Sequence, residues 1–197
     1  MTTDASLILA SRSPQRRRLL SQIYPHVTAD SADIDETEKR GERPYAYCRR
    51  VARSKAEAVK ARHPAAYVLA ADTPVICGAR ILQTPETAGE AADMLRAQSG
   101  RRVYVPTAVC LITPAGRVRE KMVKSWLKFK KLSKDEIEAF LASNLWQGCS
   151  GAIDIESSEM FFQTIHGSHS GIVGLPLYET ACLLRGEGLP VQTPGAA

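Results

Sequence analysis

No apolar stretch in this 197-residue chain approaches the ~20 residues needed to cross a bilayer, which excludes a spanning segment. The opening MTTDA has neither a basic region nor an apolar run, so no secretory leader is expected. Five cysteines, Cys48, Cys77, Cys110, Cys149 and Cys182, are scattered, and no pair has the spacing of a metal site or redox motif. A disulfide framework is therefore excluded, and reduced, mostly buried thiols in a cytoplasmic protein are expected. Internal repeats and linkers are also missing. One domain over residues 1–190 is expected, with 191–197 as a disordered tail. What is present is ordinary for a globular chain: 44% hydrophobic and 24% charged residues, enough to bury a full core. The net charge of +5 favours an anionic partner without choosing between nucleotide, nucleic acid and acidic protein.

Helical and strand patterns alternate along the chain. The sequence predicts strands at Leu7–Ala10 and Val27–Ala29, in the apolar run AAYVLAAD ending at Asp72, and at Val103–Ile112, Lys121–Leu132 and Phe161–Ile165. It predicts helices over Pro14–Tyr24, Arg43–Arg62, Thr87–Gln98 and Pro176–Arg185. A further helix opens at the capping box Ser133–Glu136 and runs to Ser143. Gly148–Ile155 reads as a loop running into a strand. The fold class is α/β, with a mixed sheet.

Three features could carry chemistry. The first is the strand–turn–helix LILASRSPQRRRLL, where Ser13 is an N-cap and Pro14 suits the first helical position. Arg16, Arg17 and Arg18 follow where the helix dipole is already positive, an unfavourable place for cations unless an anion sits there. Backbone N–H groups, the Ser11 and Ser13 hydroxyls and Arg16 could cradle a phosphate; a capped helix with solvated arginines is the competing reading. The second is the acidic loop with Asp33, Asp35 and Glu36, either a cation site or a solvated loop. The third is Asp72 with Thr73 after a buried strand, where open α/β sheets hold ligands, or else a turn-capping aspartate. Together they would set phosphate donors opposite carboxylates, and Mg²⁺ binds through one or two carboxylates plus substrate phosphates.

The segments LASRSPQRRRLL, DIDET, AADT, MLRAQSGR and GSHSGIVGLPLYET, over Leu7 to Arg185, together resemble the Maf family of nucleoside triphosphate pyrophosphatases. The resemblance implies an inosine-triphosphatase-like fold, with two lobes around a cleft and an elongated mixed sheet. It implies hydrolysis of a nucleoside triphosphate to monophosphate and pyrophosphate, a divalent metal (Mg²⁺ or Mn²⁺), and a homodimer. Asp72 then matches the catalytic acidic residue, acting as proton acceptor, and Glu36 the carboxylate that helps hold metal. Ser11, Ser13, Arg16 and Arg17 sit in the phosphate-binding turn. The catalytic set is Asp72, Glu36 and Arg16, and a triphosphate is what would reverse the sign of the arginines' interaction with the helix end.

The pattern departs from the family at several places. Thr84, in LQTP, stands where the family has a lysine that neutralises phosphate charge, and Cys149 replaces another lysine. Of three base-preference positions, Thr73 agrees with enzymes acting on dTTP and UTP. Glu156 is closer to the branch acting on 7-methyl-GTP, and Gln15 matches neither. A 7-methyl-GTP-like or a pyrimidine substrate both stay open. Two other readings remain: a catalytically impaired nucleotide-binding or regulatory protein, motivated by Thr84 and Cys149, and a nucleic-acid binder. Against the second, basic and acidic residues alternate after Thr37, and no aromatic–basic stacking motif appears. His166 and His169, three apart, lack a third metal partner; Trp126 and Trp146 read as core or interface.

Overall fold

The computed structural model describes residues 6–192. The mixed sheet is realised as two five-stranded sheets. The first comprises β1 (Leu7–Leu9), β2 (Thr28–Ala29), β3 (Tyr67–Asp72), β7 (Thr107–Ile112) and β8 (Val118–Val123), in the order β2-β1-β3-β7-β8. β1 runs parallel to β2 and β3, whereas β3–β7 and β7–β8 are antiparallel. β3 is central and buried from Val68 to Asp72, as a strand covered on both faces must be. Its side chains alternate between two apolar layers. Leu69 and Ala71 face Leu19 and Leu20 of α1 (Pro14–Ser21) and Leu184 of α6 (Leu177–Gly186). Val68 and Ala70 face Cys48, Ala52 and Ala56 of α2 (Pro44–Arg62), small residues that let the helix lie close.

The second sheet is wholly antiparallel. It comprises β4 (Val75–Cys77), β5 (Arg80–Leu82), β6 (Arg102–Tyr104), β9 (Trp126–Phe129) and β10 (Phe162–His166), in the order β10-β9-β6-β4-β5. α3 (Ala88–Gln98) and α4 (Lys134–Ala142) bury Ala91, Leu95, Ile137 and Phe140 against Leu127 and Phe129. The Ser133–Glu136 capping box is present in both directions. Trp146 and Ile153 belong to the same core. Among the described residues no helix is long and apolar enough to cross a membrane.

Three consecutive crossings join the sheets, and they correct two sequence expectations. Val103–Ile112 is not one strand: it breaks at Val105–Pro106 into β6 and β7, in different sheets. Proline supplies no ladder N–H, which ends the pairing there. Lys121–Leu132 likewise divides at Lys124–Ser125 into β8 and β9, since an alternating pattern continues across a change of sheet. The third crossing, Thr73–Pro74, follows Asp72 directly. Val105 N–H donates to Ser125 O (2.9 Å), closing the seam.

Four smaller differences follow. The hairpin β4–β5 was not expected; it turns at Gly78–Ala79, with Gly78 at φ 64°. Gly148–Ile155 holds a buried 3₁₀ turn at Ser150–Ala152 rather than a strand. Gly151 there donates to Gln83 O (2.9 Å) and accepts from Gln98 Nε2 (2.7 Å). Gly-rich 169–173 forms α5 (His169–Val173). Of the expected tail, Val191 packs on the first sheet's core and Gln192 N–H donates to Ile23 O (2.9 Å), while 193–197 lie outside the described residues.

Gly167 connects β10 to α5 at φ +96°, and a Cβ there would meet Ser125 Cα at 2.9 Å and Lys124 O at 3.0 Å. Gly167→Ala should therefore destabilise the fold by about 2 kcal/mol or more. The check is a lower denaturant midpoint at unchanged slope.

Candidate functional site

The turn between β1 and α1 is organised by its own serines. Ser13 N–H donates to Ser11 Oγ (3.1 Å), and Ser13 Oγ caps α1 by accepting from Arg16 N–H (3.3 Å). The Ser13 hydroxyl donates to Gln15 Oε1 (3.1 Å). Arg16 turns back across the seam: Nε donates to Gly174 O (2.9 Å), Nη2 to Thr73 Oγ1 (3.3 Å) and Nη1 to Ser11 Oγ (3.5 Å). Burial lowers its pKa, while Asp72 and Glu36 act in the opposite sense, and guanidinium stays cationic regardless. Thr73 lies 3.2 Å from Thr107 Oγ1, which donates to Gly171 O (2.6 Å). Each hydroxyl has one proton, so a consistent direction is Arg16 to Thr73 to Thr107 to the Gly171 carbonyl. Gly174 sits at φ +137°, and a Cβ there would meet Arg16 Nε at 3.2 Å.

The acidic side chains converge with this turn. Asp72, 7% exposed, accepts from Lys55 Nζ (3.0 Å) on its Oδ1. The same ammonium donates to Glu36 Oε2 (2.7 Å). Lys55, from the middle of α2, was not singled out by the sequence; nothing marks it among the many charges of that helix. Asp35 accepts from Thr37 N–H (2.9 Å) on Oδ1, shaping the loop end. Arg50 ties the loop to α2 through both Glu42 oxygens (2.7 Å each) and Thr37 O (3.0 Å). Tyr47 borders the Asp72 cavity, and burial, then the Asp72 charge, push its phenol up to about 12.

Three adjoining cavities make one cleft. A slot of about 230 Å³ has Gln15, Cys149 and Asp154 on a wall of Val75, Leu127 and Ile155. A second, of about 250 Å³, lies over Ser11, Arg12, Asp33, Glu36 and Lys55. A third, of about 130 Å³, is lined by Asp72, Glu36, Tyr47 and Thr84. Ser13 and Arg16 are common to the first two, Thr73 to the first and third, and Glu36 to the second and third. Thr84 Oγ1 lies 3.5 Å from Ser150 Oγ.

Two of the residues expected at the site are placed elsewhere. Arg17 is exposed and its side chain makes no hydrogen bond or ion pair among the described residues, because successive helical positions diverge by about 100°. Glu156 is held by Arg18 at 2.7 Å and does not line the slot; Asp154, two residues earlier, does. No group of three or more His, Cys, Asp and Glu that could hold a metal occurs among the described residues. His166 instead stacks on Trp126, with centroids 5.0 Å apart, and Arg102 covers Trp126 at 4.2 Å. Trp146 is core, donating to Leu141 O (3.1 Å).

A phosphate-type turn, a buried strand-end aspartate and a two-sheet seam can be compared with known proteins. The Maf-like protein family model matches residues 6–187, nearly the whole chain. The chain belongs to the Maf-like family. It is 44% identical to the dTTP/UTP pyrophosphatase of Rhodopseudomonas palustris (strain HaA2), over 94% of both proteins. It is 47% identical to the nucleoside triphosphate pyrophosphatase of Anaplasma phagocytophilum (strain HZ), over 92% of this chain and 95% of that one. Among solved structures, the Staphylococcus aureus Ham1 protein superposes with a TM-score of 0.52 at 12% identity, covering 92% of this chain and 99% of that one. That likeness is one of fold. In this Maf-like chain the cleft thus lies where the two sheets exchange strands.

Two outcomes follow from this geometry. Thr107→Val removes the hydroxyl between Thr73 and Gly171 O at a position 1% exposed, and should destabilise by about 1–3 kcal/mol in denaturant unfolding. The Glu42 carboxyl is held down to about 2, chiefly by Arg50, below its ordinary 4.5. Its contribution is therefore full above pH 4.5 and lost as pH falls toward 2, so the amide protection factors of residues 37–42, corrected for intrinsic exchange, should fall across that window.

Proposed function

We propose that this Maf-like chain hydrolyses a nucleoside triphosphate to the monophosphate and pyrophosphate. The observation that carries the reading is the convergence of Arg16, Lys55, Asp72 and Glu36 on one cleft beside an aliphatic slot. The activities for which relatives at 44% and 47% identity are named support it.

In this reading the base enters the slot and the triphosphate lies over the Ser11–Ser13 turn. Arg16 is already oriented by Gly174 and Thr73, so its outer N–H groups meet phosphate at little entropic cost. Lys55 offers an ammonium to the same anion. Asp72 takes a proton from water as its oxygen attacks the α-phosphorus; the α–β bridging bond breaks and pyrophosphate leaves. Arg16 and the serine turn hold that leaving group.

The donor set fits a divalent cation. Asp72 and Glu36 both reach one ammonium, at 3.0 and 2.7 Å, so their carboxylates already meet at a cationic point. Mg²⁺ or Mn²⁺ needs only one or two carboxylates when phosphates complete its shell. Asp72 and Glu36 would hold it, and it would supply Lewis acidity at the phosphate oxygens. The proposal extends to a homodimer, as the family resemblance implies, and to a cytoplasmic setting, in keeping with five free thiols.

A second reading has one observation in its favour. Thr84 brings no charge to the cavity that holds Asp72. A protein that binds nucleotides without turning them over would be stabilised thermally by them and would release nothing.

The test is purified protein with Mg²⁺ or Mn²⁺, a nucleotide panel, and detection of pyrophosphate. Release is expected from at least one triphosphate, with Asp72→Asn slower by about 100-fold or more. Silence across the panel, with thermal stabilisation retained, would leave the binding protein as the reading.

A further inference from the structure

The slot beside Arg16 has one charged group that the hydrolytic reading leaves unused. Asp154 sits between Ile153 and Ile155, both buried, and lines a slot whose walls combine aliphatic side chains such as Val75 and Leu127 with polar ones such as Gln15 and Ser150. Its Oδ2 accepts from Ser157 N–H (3.1 Å) and Ser157 Oγ–H (3.0 Å). This pair of bonds holds the carboxyl group in place. Its Oδ1 accepts from no described residue, and Asp154 takes part in no ion pair among them. A positioned carboxylate with open lone pairs, on the wall of a slot, is a recognition element waiting for donors.

The chemistry of the bases decides which donors suit it. Both acceptor sites of Oδ2 are taken by Ser157, so Oδ1, with two sites open, is the atom that faces the base and accepts from two adjacent N–H groups. Guanine presents such an edge, N1–H beside the 2-amino group. Uracil and thymine present one N–H flanked by two carbonyl oxygens, so pairing with a carboxylate sets oxygen against oxygen. Adenine and cytosine offer one amino group beside a ring acceptor. The slot has no aromatic plate, and its aliphatic walls accept a purine or a pyrimidine face alike, so the edge contact is what discriminates. Cys149, also on the slot, adds no competing charge: burial, then Asp154, push its thiol up, and it stays neutral.

We propose that Asp154 is a base-selecting residue, turning the slot toward guanine nucleotides and away from uracil and thymine nucleotides. The inference rests on the slot being the base end of the proposed hydrolytic site. It sets this chain apart from relatives named as dTTP/UTP pyrophosphatases.

The test is kcat/KM of the full chain for GTP, ITP and UTP, for wild type, Asp154→Asn and Asp154→Ala. Wild type should favour GTP over UTP by about tenfold or more, the scale of one good bidentate base contact. ITP keeps N1–H but lacks the 2-amino group, and should fall between them. Asp154→Asn should invert the order, because the amide oxygen stays on the Ser157 donors and the NH2 group then faces the base, donating to a uracil carbonyl and opposing the guanine N–H edge. Asp154→Ala should flatten it. Ratios between substrates within one variant cancel general damage to folding or turnover. A wild type that favours UTP, or a GTP-to-UTP ratio unmoved by both substitutions, overturns the inference while leaving the hydrolase intact. If no triphosphate yields pyrophosphate, the hydrolytic reading falls instead. Calorimetric dissociation constants for GTP and UTP then decide base selection by the same ratios.

Discussion

Arg16 is a half-buried cation tied to three separate pieces of chain, and the cleft takes its shape from that tie. Its guanidinium bonds the Gly174 carbonyl, the Thr73 hydroxyl and the Ser11 hydroxyl. Those groups come from the stretch after α5, the end of β3 and the turn before α1. A planar fork with five donors can hold three acceptors in fixed directions, which a lysine could not do. The cost of burying the charge is offset by those bonds and by the nearby Asp72 and Glu36 carboxylates. An arginine at a helix N-terminus, unfavourable in isolation, thus becomes the clamp that closes the two sheets around a ligand-sized space.

The seam explains why the clamp and the carboxylates meet. Three times the chain leaves one sheet and enters the other, at Thr73–Pro74, Val105–Pro106 and Lys124–Ser125. At each crossing the ladder is interrupted, so side chains beside it need not pack in a strand face. Asp72, Thr73 and Thr107 all lie at these breaks. Polar groups can therefore be 1% to 7% exposed and still fully engaged, with Thr107 on Gly171 O and Asp72 on Lys55. Membership of the Maf-like family follows from the match across the chain; the seam is the physical reason why its distant motifs act as one site.

Electrostatically the cleft is graded. Lys55 and Arg16 oppose Asp72 and Glu36 at one end, so that region holds both signs in close contact. At the other end Asp154 is, among the described residues, the one carboxylate on a slot whose walls mix aliphatic and polar side chains. The first end suits a polyanion that brings a cation with it, and the second a neutral, donor-bearing edge. A nucleoside triphosphate has that polarity along its length.

Much of this was legible from residues alone, where local rules act locally. The Ser13 and Ser133 caps, the burial of AAYVLAAD and the turn at Arg16 follow from spacing and side-chain chemistry, whatever the rest of the chain does. Strand continuity was not legible, because alternation persists through Val105–Pro106 and Lys124–Ser125 although the hydrogen-bonding partner changes. Nor was the choice between near neighbours. Arg16 or Arg17, Asp154 or Glu156, and Lys55 out of a helix crowded with cations differ by which way a side chain points once elements pack. The sequence by itself determined which segments become helices and which chemical groups were on hand. Only the tertiary structure decided which of those groups meet, because that depends on strand exchange and helix rotation, set by long-range packing.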